Sequence, residues 1–275
     1  MHPLRTPRTG ITRAGVTGLC FSPDGDLLAG VGGGAVLCWT RTRGWEPSGL
    51  PHRGTVVAVA FHPGGRTLAY AAFSPSLVRS GAPDAFTGVR LYPLTAAHEF
   101  RPEVVTFAPD GAAAPEMWLH GLAFTPDGQA LLSCRAETSL LGTPRATVHR
   151  WDLRTSGPAW ERVTAAVLSQ LPAPGGVALL DGCTLAFAGG WGVRAVRFDG
   201  DPAALRVRDV LRSKAVAVAP AGELVAAADD REFAVWHLRD ARAARVVPAL
   251  AITALALPPA GDALATGHAD GTVRL

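Results

Sequence analysis

Lysine is almost missing from this chain: Lys214 is the single example among 26 basic residues, and the other 25 are arginine. Charge of either sign is sparse, at 18% of 275 residues with a net charge of +3. No basic residues form a consecutive run. The densest group, Arg5, Arg8 and Arg13, is diluted by prolines and threonines and has no interleaved aromatics. That leaves no stripe to track a phosphate backbone and argues against a nucleic-acid partner. Also absent is an apolar run of about 18 residues, which a membrane-spanning helix needs. The N-terminal residues lack the apolar core of a secretory signal. The expectation is a cytoplasmic protein with no membrane partner.

Reactive constellations are missing too. The four cysteines, Cys20, Cys38, Cys134 and Cys183, form no CxxC pair and read as small buried apolar residues. Eight histidines are scattered without an HxxxH or HExxH spacing. There is no GxSxG elbow, phosphate loop or dinucleotide fingerprint. Gly32-Gly33-Gly34 and Asp24-Gly25-Asp26 read as turns, and the latter lacks the downstream acids of a calcium loop. The expectation is a chain without catalysis, cofactor or metal. Hydrophobic residues make up 48%, enough for a large core and too many for a disordered chain.

What is present is a repeat. Phe21-Ser22-Pro23-Asp24-Gly25 returns as Phe61-His62-Pro63-Gly64-Gly65 and as Phe124-Thr125-Pro126-Asp127-Gly128. Weaker copies are Ala219-Pro220-Ala221-Gly222 and Pro258-Pro259-Ala260-Gly261. Each follows a short Val/Ala/Leu run. A unit recurring at this spacing builds a solenoid or a propeller. Such folds present binding surfaces, and function must be argued from a site.

Three strands are predicted per unit, with a linker strand between units. They span 16–21, 27–31 and 35–40; 56–61, 67–72 and 89–92; 118–124, 130–134 and 147–151; 176–180, 183–188 and 193–198; 215–219, 223–228 and 232–236; 252–257, 263–267 and 272–275. The first strands are apolar on both faces, as in Val57-Ala58-Val59-Ala60-Phe61, where a surface strand would alternate. This predicts burial between neighbouring sheets, with the alanine face admitting the next sheet closely. The third strand ends in a ring: Trp39, Tyr92, Trp151, Phe198 or Trp236. A ring recurring there is predicted to wedge between adjacent sheets.

These turns, the Trp151-Asp152 dipeptide and the string Gly267-His268-Ala269-Asp270-Gly271-Thr272-Val273-Arg274-Leu275 resemble the WD-repeat β-propeller family. His52, nine residues before Phe61, stands where the family's Gly-His histidine would sit. The resemblance covers residues 16–275 and implies an all-β fold of four-stranded antiparallel blades around a channel. It also implies a protein-interaction scaffold. No unit carries the family's full His, Ser/Thr, Asp and Trp set. His52 goes with Tyr92; Asp230 with Trp236 but no histidine; Thr266 and Asp270 with no tryptophan. Asp230 and Asp270 are expected to form turns, and packing to carry blade stability.

The repeat anchors Phe21, Phe61, Phe124, Leu179, Val218 and Leu257 are spaced by 40, 63, 55, 39 and 39 residues. A repeat takes about 40. The excess in the long intervals is expected in loops at 73–88 and 135–146 and in a connector at 93–117. This gives six blades in a single domain, 1–275; the alternative is a seven-bladed ring of which the chain is a piece. Residues 9–13 are expected to add the missing fourth strand beside 272–275 and close the ring. Scattered arginine beside much Ala, Gly and Pro points to GC-rich coding DNA and a bacterial source.

Both long loops and the connector are predicted on one face, over blades 2 and 3. Arg79 lies in one loop, Arg135 and Arg145 in the other, with Trp118 between them and Trp191 in the Gly-Gly-Trp-Gly turn of unit 4. Trp, Tyr and Arg are enriched at interface anchors. These five are the candidate partner-binding residues of a monomeric scaffold for a protein partner. The competing readings are a sensor or regulatory module of a larger system, and a small-ligand binder or enzyme using the channel mouth.

Overall fold

The computed structural model describes residues 3–4, 15–51, 55–73, 88–95, 105–107, 118–138, 144–153, 160–163, 176–181, 184–189, 192–197, 215–218, 224–229, 231–237, 243–248 and 251–275. The chain is all-β and antiparallel, and the described strands form six sheets. A two-residue strand, β1 (Pro3–Leu4), comes first. The first sheet is β2 (Gly18–Phe21), β3 (Leu27–Gly32), β4 (Ala35–Thr40) and β5 (Glu46–Pro51). The second is β6 (Thr55–Phe61), β7 (Thr67–Phe73), β8 (Gly88–Pro93) and β9 (Val105–Phe107). The third is β10 (Trp118–Phe124), β11 (Ala130–Thr138), β12 (Pro144–Asp152) and β13 (Trp160–Val163). The fourth shows three described strands, β14 (Gly176–Asp181), β15 (Thr184–Gly189) and β16 (Gly192–Arg197). The fifth is β17 (Ala215–Val218), β18 (Leu224–Ala228), β19 (Glu232–His237) and β20 (Ala243–Pro248). The sixth is β21 (Ile252–Ala256), β22 (Ala265–His268) and β23 (Val273–Arg274), extended by β1.

Each sheet is a meander, so its first strand is an edge. These edges lie side by side: β2 packs against β6, β6 against β10, β10 against β14, β14 against β17, β17 against β21, and β21 against β2. The two-faced apolar character of the first strands follows from this burial.

The faces between sheets pair small residues with large ones. Trp39 of the first sheet packs with Ala254, Ala256 and Ala265 of the sixth. Trp151 of the third packs with Ala58, Ala60, Ala69 and Ala71 of the second. Trp236 of the fifth packs with Ala186 of the fourth. Tyr92 packs against the cluster between the first and second sheets that includes Ala29 and Cys38. Each ring thus fills the space that the preceding sheet's small side chains leave. Trp39, Trp151 and Trp236 are all buried. A buried indole removes roughly 200 Å² from water, so these wedges contribute much of the cohesion between sheets.

The position that faces the ring on the second strand differs from unit to unit. In the third sheet Trp151 Nε1–H donates to Ser133 Oγ at 2.9 Å. In the second, the equivalent residue is Tyr70, which stacks on Tyr92 with ring centres 5.6 Å apart. In the first it is Gly30, because a Cβ there would stand 2.8 Å from the Trp39 ring. In the sixth it is Thr266, whose hydroxyl meets His268 Nε2 at 3.0 Å. The polar network was expected to be incomplete; each sheet has its own packing solution instead.

The turns after the first strands are also built alike. Ser22 Oγ–H donates to Asp24 Oδ1 and accepts from Leu27 N–H. Thr125 does the same with Asp127 and Ala130. Gly25, Gly65, Gly128 and Gly261 each have φ between 66° and 77°, which glycine adopts without a steric penalty. Each of these glycines also faces a side chain from the preceding sheet's turn region: Pro259, Pro23, His62 and Leu224 respectively. His62 replaces the hydroxyl in the second sheet. Its Nδ1 accepts from Gly64 N–H at 2.9 Å, so Nε2 carries the proton given to the Gly128 carbonyl at 3.1 Å.

Two sequence expectations need correction. The strand beside β23 is β1, with Pro3 opposite Arg274 and Leu4 opposite Val273. Residues 9–13, expected there, lie outside the described residues. Proline is tolerated in β1 because it is an edge strand. The loop expected at 135–146 is mostly a hairpin: β11 and β12 stay paired from Ala130↔Asp152 to Thr138↔Pro144. Its polar composition hid strands that the ladder sustains. In the turn of the fifth sheet Asp229 Oδ1 accepts from the N–H groups of Arg231 and Glu232; Asp230, expected to form this turn, lies outside the described residues, as does His52.

Candidate functional site

In a meander, the start of each first strand and the turn between second and third strands share one end. Trp118 opens β10 at that end and pairs with Ala136, next to Arg135, which pairs with Leu119. Arg135 lies opposite Thr147 and Glu137 opposite Arg145 on the far side of the hairpin. Three of the five candidate residues, Trp118, Arg135 and Arg145, therefore belong to one sheet at one end. Arg79, in the segment joining β7 and β8, and Trp191, in the segment joining β15 and β16, lie outside the described residues. Those segments leave the second and fourth sheets, which flank the third.

At the same end the first strands surround a narrow cavity of about 60 Å³. That holds a water or two, since a water occupies about 30 Å³. Its wall includes Gly18, Ala58, Gly121 and Leu122, with Thr17 and Thr253 as its hydroxyls. Both hydroxyls are engaged: Thr17 Oγ1 donates to the Val56 carbonyl at 2.8 Å, and Thr253 Oγ1 to the Val16 carbonyl at 2.6 Å. Each bond joins one first strand to the next. The described wall thus combines small and aliphatic side chains with backbone polar groups, and its two hydroxyls are already hydrogen-bonded.

Thiol chemistry has no support at the described cysteines. Burial pushes the Cys38 and Cys134 thiols up to about 12. Burial, then the neighbouring Cys38, raises Cys20 as well. Among the described residues no group of three or more His, Cys, Asp or Glu side chains could hold a metal ion, and no helix is long and apolar enough to cross a membrane. Asp270 is exposed, and its Oδ1 accepts from both Thr272 N–H and Thr272 Oγ1–H. These bonds hold its carboxyl below the usual carboxylate range, as a turn former requires.

Sequence reasoning missed the residues that staple neighbouring first strands, Thr17 and Thr253. A signal existed: each stands four residues before a repeat anchor, Phe21 and Leu257. It also missed the hairpin extension. Pro144 and the charged residues at 135, 137 and 145 read as loop composition.

Comparison with known proteins adds two findings. The family described as "WD domain, G-beta repeat" matches residues 3–40 and 248–275, the first and sixth sheets. Among solved structures, the β-propeller domain of Cps50 (Swd1) from Myceliophteria thermophila superposes with a TM-score of 0.57 at 18% identity. That match covers 94% of this chain and 82% of the other. At such identity the likeness speaks for the fold. No curated protein matches the chain. WD repeats are thus matched at both ends of the chain, and the recurrent turns and ring wedges between them go with a fold similar to that of a WD-repeat β-propeller.

Proposed function

We propose that the chain is a single-domain, six-bladed propeller, closed by β1, that works as a non-catalytic scaffold for a protein partner. The partner sits on the end of the ring that carries the β11–β12 hairpin. The observation that carries this reading is the hairpin itself: the pairs from Arg135↔Thr147 to Thr138↔Pro144 continue the sheet beyond the length expected from the repeat, beside Trp118. A paired hairpin presents side chains more rigidly than a loop of equal length, which lowers the ordering cost of binding. Arg79, Trp118, Arg135, Arg145 and Trp191 form the contact surface, with tryptophans as apolar anchors and arginines as charged contacts. The small volume of the cavity, with both its hydroxyls already hydrogen-bonded, supports this reading over a small-ligand site or enzyme at the channel mouth. Six sheets whose first strands pack in succession, the last against the first, support closure.

The test starts with affinity capture and identification of a partner by mass spectrometry. Its affinity for wild type is then compared with Trp191→Ala and Trp118→Ala, alongside thermal stability of the same proteins. Each variant is expected to weaken binding by about 2 kcal/mol or more, the level that marks an interface hot spot. Stability lost with affinity of the folded fraction unchanged would make the tryptophans packing residues. Unchanged affinity and unchanged stability would move the surface to the opposite end, which carries the Pro-Asp-Gly turns.

A further inference from the structure

The sheets differ most at their outermost strands. β5 and β20 have six residues each, β13 has four and β9 has three. β1, which holds the outer place in the sixth sheet, has two. It pairs with β23 through Pro3↔Arg274 and Leu4↔Val273 alone. Proline has no N–H, so Leu4 carries the only amide donor of this strand. The described contacts that hold the sixth sheet to the first lie elsewhere. Val16 N–H donates to the His268 carbonyl at 3.0 Å, and Thr253 Oγ1–H to the Val16 carbonyl at 2.6 Å. Trp39 fills the alanine face of the sixth sheet. Val16 packs so closely on Gly267 that a Cβ there would stand 2.5 Å from Val16 Cγ1, and Pro259 meets Gly25. None of these contacts uses β1. The strand completes the sixth sheet without carrying its junction with the first.

The N–H and C=O groups along a sheet edge pair with whatever extended segment lies beside them. At this edge Val273 is buried against the first sheet, and Arg274 is exposed. The register neighbours of Arg274 are Pro3 and Thr266, residue types without charge. Asp270, the acid on which Arg274 acts, already accepts two bonds from Thr272. We infer that the outer edge of the sixth sheet is a strand-addition site that takes an extended acidic segment of a partner protein in place of β1. That segment carries Glu or Asp across from Arg274, a β-branched residue beside Val273, and no proline. Its backbone bonds supply affinity, and its alternate side chains supply selectivity. Opposite charges directly across a ladder stabilise the pair, and Pro3 offers none. Its tether keeps β1 at high effective concentration, so β1 acts as a built-in competitor that a better-matched strand displaces. Binding at this edge is independent of the surface proposed above on the third sheet.

Fluorescence anisotropy tests this with labelled peptides of alternating threonine and valine. One carries a central Glu-Val step, a second Lys-Val, and a third Pro-Pro. The proteins are wild type, Leu4→Pro, Arg274→Gln, and the double variant. Leu4→Pro takes the last amide donor from β1 and touches none of the contacts between the sixth and first sheets. It is expected to keep the wild-type melting temperature and to stay monomeric in gel filtration. Freed of its competitor, Leu4→Pro is expected to bind the Glu-Val peptide about fivefold or more tighter than wild type. It is expected to prefer Glu-Val over Lys-Val by about fivefold, a preference that Arg274→Gln abolishes in the double variant. The Pro-Pro peptide, without the ladder donors, is expected not to bind. Several degrees lost by Leu4→Pro, or its aggregation, would show that β1 carries the junction and overturn the inference. So would equal binding of the Glu-Val peptide by wild type and Leu4→Pro, or binding by neither. Retention of the Pro-Pro peptide would rule out a ladder, and equal binding of Glu-Val and Lys-Val would rule out an acidic partner.

Discussion

Trp151→Ala probes the ring wedge most directly. The Trp151 side chain is 3% exposed and fills the alanine face of the second sheet. Roughly 200 Å² of buried aromatic surface at about 25 cal/mol per Å² gives about 5 kcal/mol as an upper bound. Measured truncations of large core aromatics cost about 3–5 kcal/mol, and the lower half of that range is expected if neighbouring sheets relax inward. The indole also makes one buried hydrogen bond, to Ser133, itself 1% exposed. Ser133→Ala takes this acceptor from the buried Nε1–H, at a cost of about 1–3 kcal/mol. Trp151→Phe leaves the Ser133 hydroxyl in the same position. Combining the last two removes both partners, so the double variant should lose less than the sum of the singles, by about 1 kcal/mol. Urea denaturation followed by circular dichroism measures each value without relying on the fluorescence of seven tryptophans. A loss below about 1 kcal/mol for Trp151→Ala would place the ring on the surface and refute the wedge. Strict additivity in the cycle would show that the hydrogen bond contributes nothing.

Other outcomes follow from features of the same kind. Gly128→Ala should destabilise by about 1–3 kcal/mol from its left-handed backbone alone, and by more because the new Cβ would stand 2.5 Å from His62 Nε2; wild-type stability in chemical denaturation would contradict this. Thr253→Val removes the bond to the Val16 carbonyl between sheets six and one and should cost about 1 kcal/mol; an unchanged urea midpoint would show that the staple is idle. A thiol reagent at pH 8 should leave Cys38 and Cys134 unmodified in the folded protein, because burial holds both thiols near 12; rapid labelling mapped to either by mass spectrometry would refute their placement. The stability difference between wild type and Asp270→Asn should be present near neutral pH. A carboxyl with a lowered folded value contributes only while ionised, so the difference should shrink as pH falls through the acid range below the ordinary carboxylate value; a difference that persists at pH 2 would contradict the sign.

The residues that announced the fold are those where one physical requirement dictates one residue type. The turn glycines and the Val/Ala runs stand at places where only a left-handed glycine or a two-faced apolar strand fits. The large rings at the ends of the third strands fill the space left by alanines. Strand positions read from these cues agree with the described strands to within a few residues in every unit, except along the β11–β12 hairpin. What stayed hidden depends on backbone geometry rather than side-chain type. β1 is two residues long and begins with proline, so nothing in its composition marks a strand. The first-strand pairing slips by one residue at Val57, His120 and Thr253, and these differ in chemistry because a bulge constrains register and not identity. Of the proposed interface, Trp118 was legible as a strand opening. Arg135 and Arg145 were assigned to one loop and stand instead on the two paired strands of one hairpin, since arginine and threonine occur in a ladder as readily as in a turn.

The interlocking turns make the units directional. Pro259 meets Gly25, Pro23 meets Gly65, His62 meets Gly128 and Leu224 meets Gly261, each side chain reaching from one sheet to the turn glycine of the next. The contact between the sixth and first sheets, which no turn of the chain connects, obeys the same rule as the contacts within the chain. Succession therefore matters and the starting point does not. A circular permutant that begins at β6 and joins the two natural ends by a linker would keep every one of these contacts. A chain in which the second and fifth units trade places would set Leu224 against Gly128 and Pro23 against the fifth unit's turn, and would lose the His62 bond to Gly128. Among the described turns the order lies in the joints: a cut between two units spares these contacts, and a reshuffling of units does not.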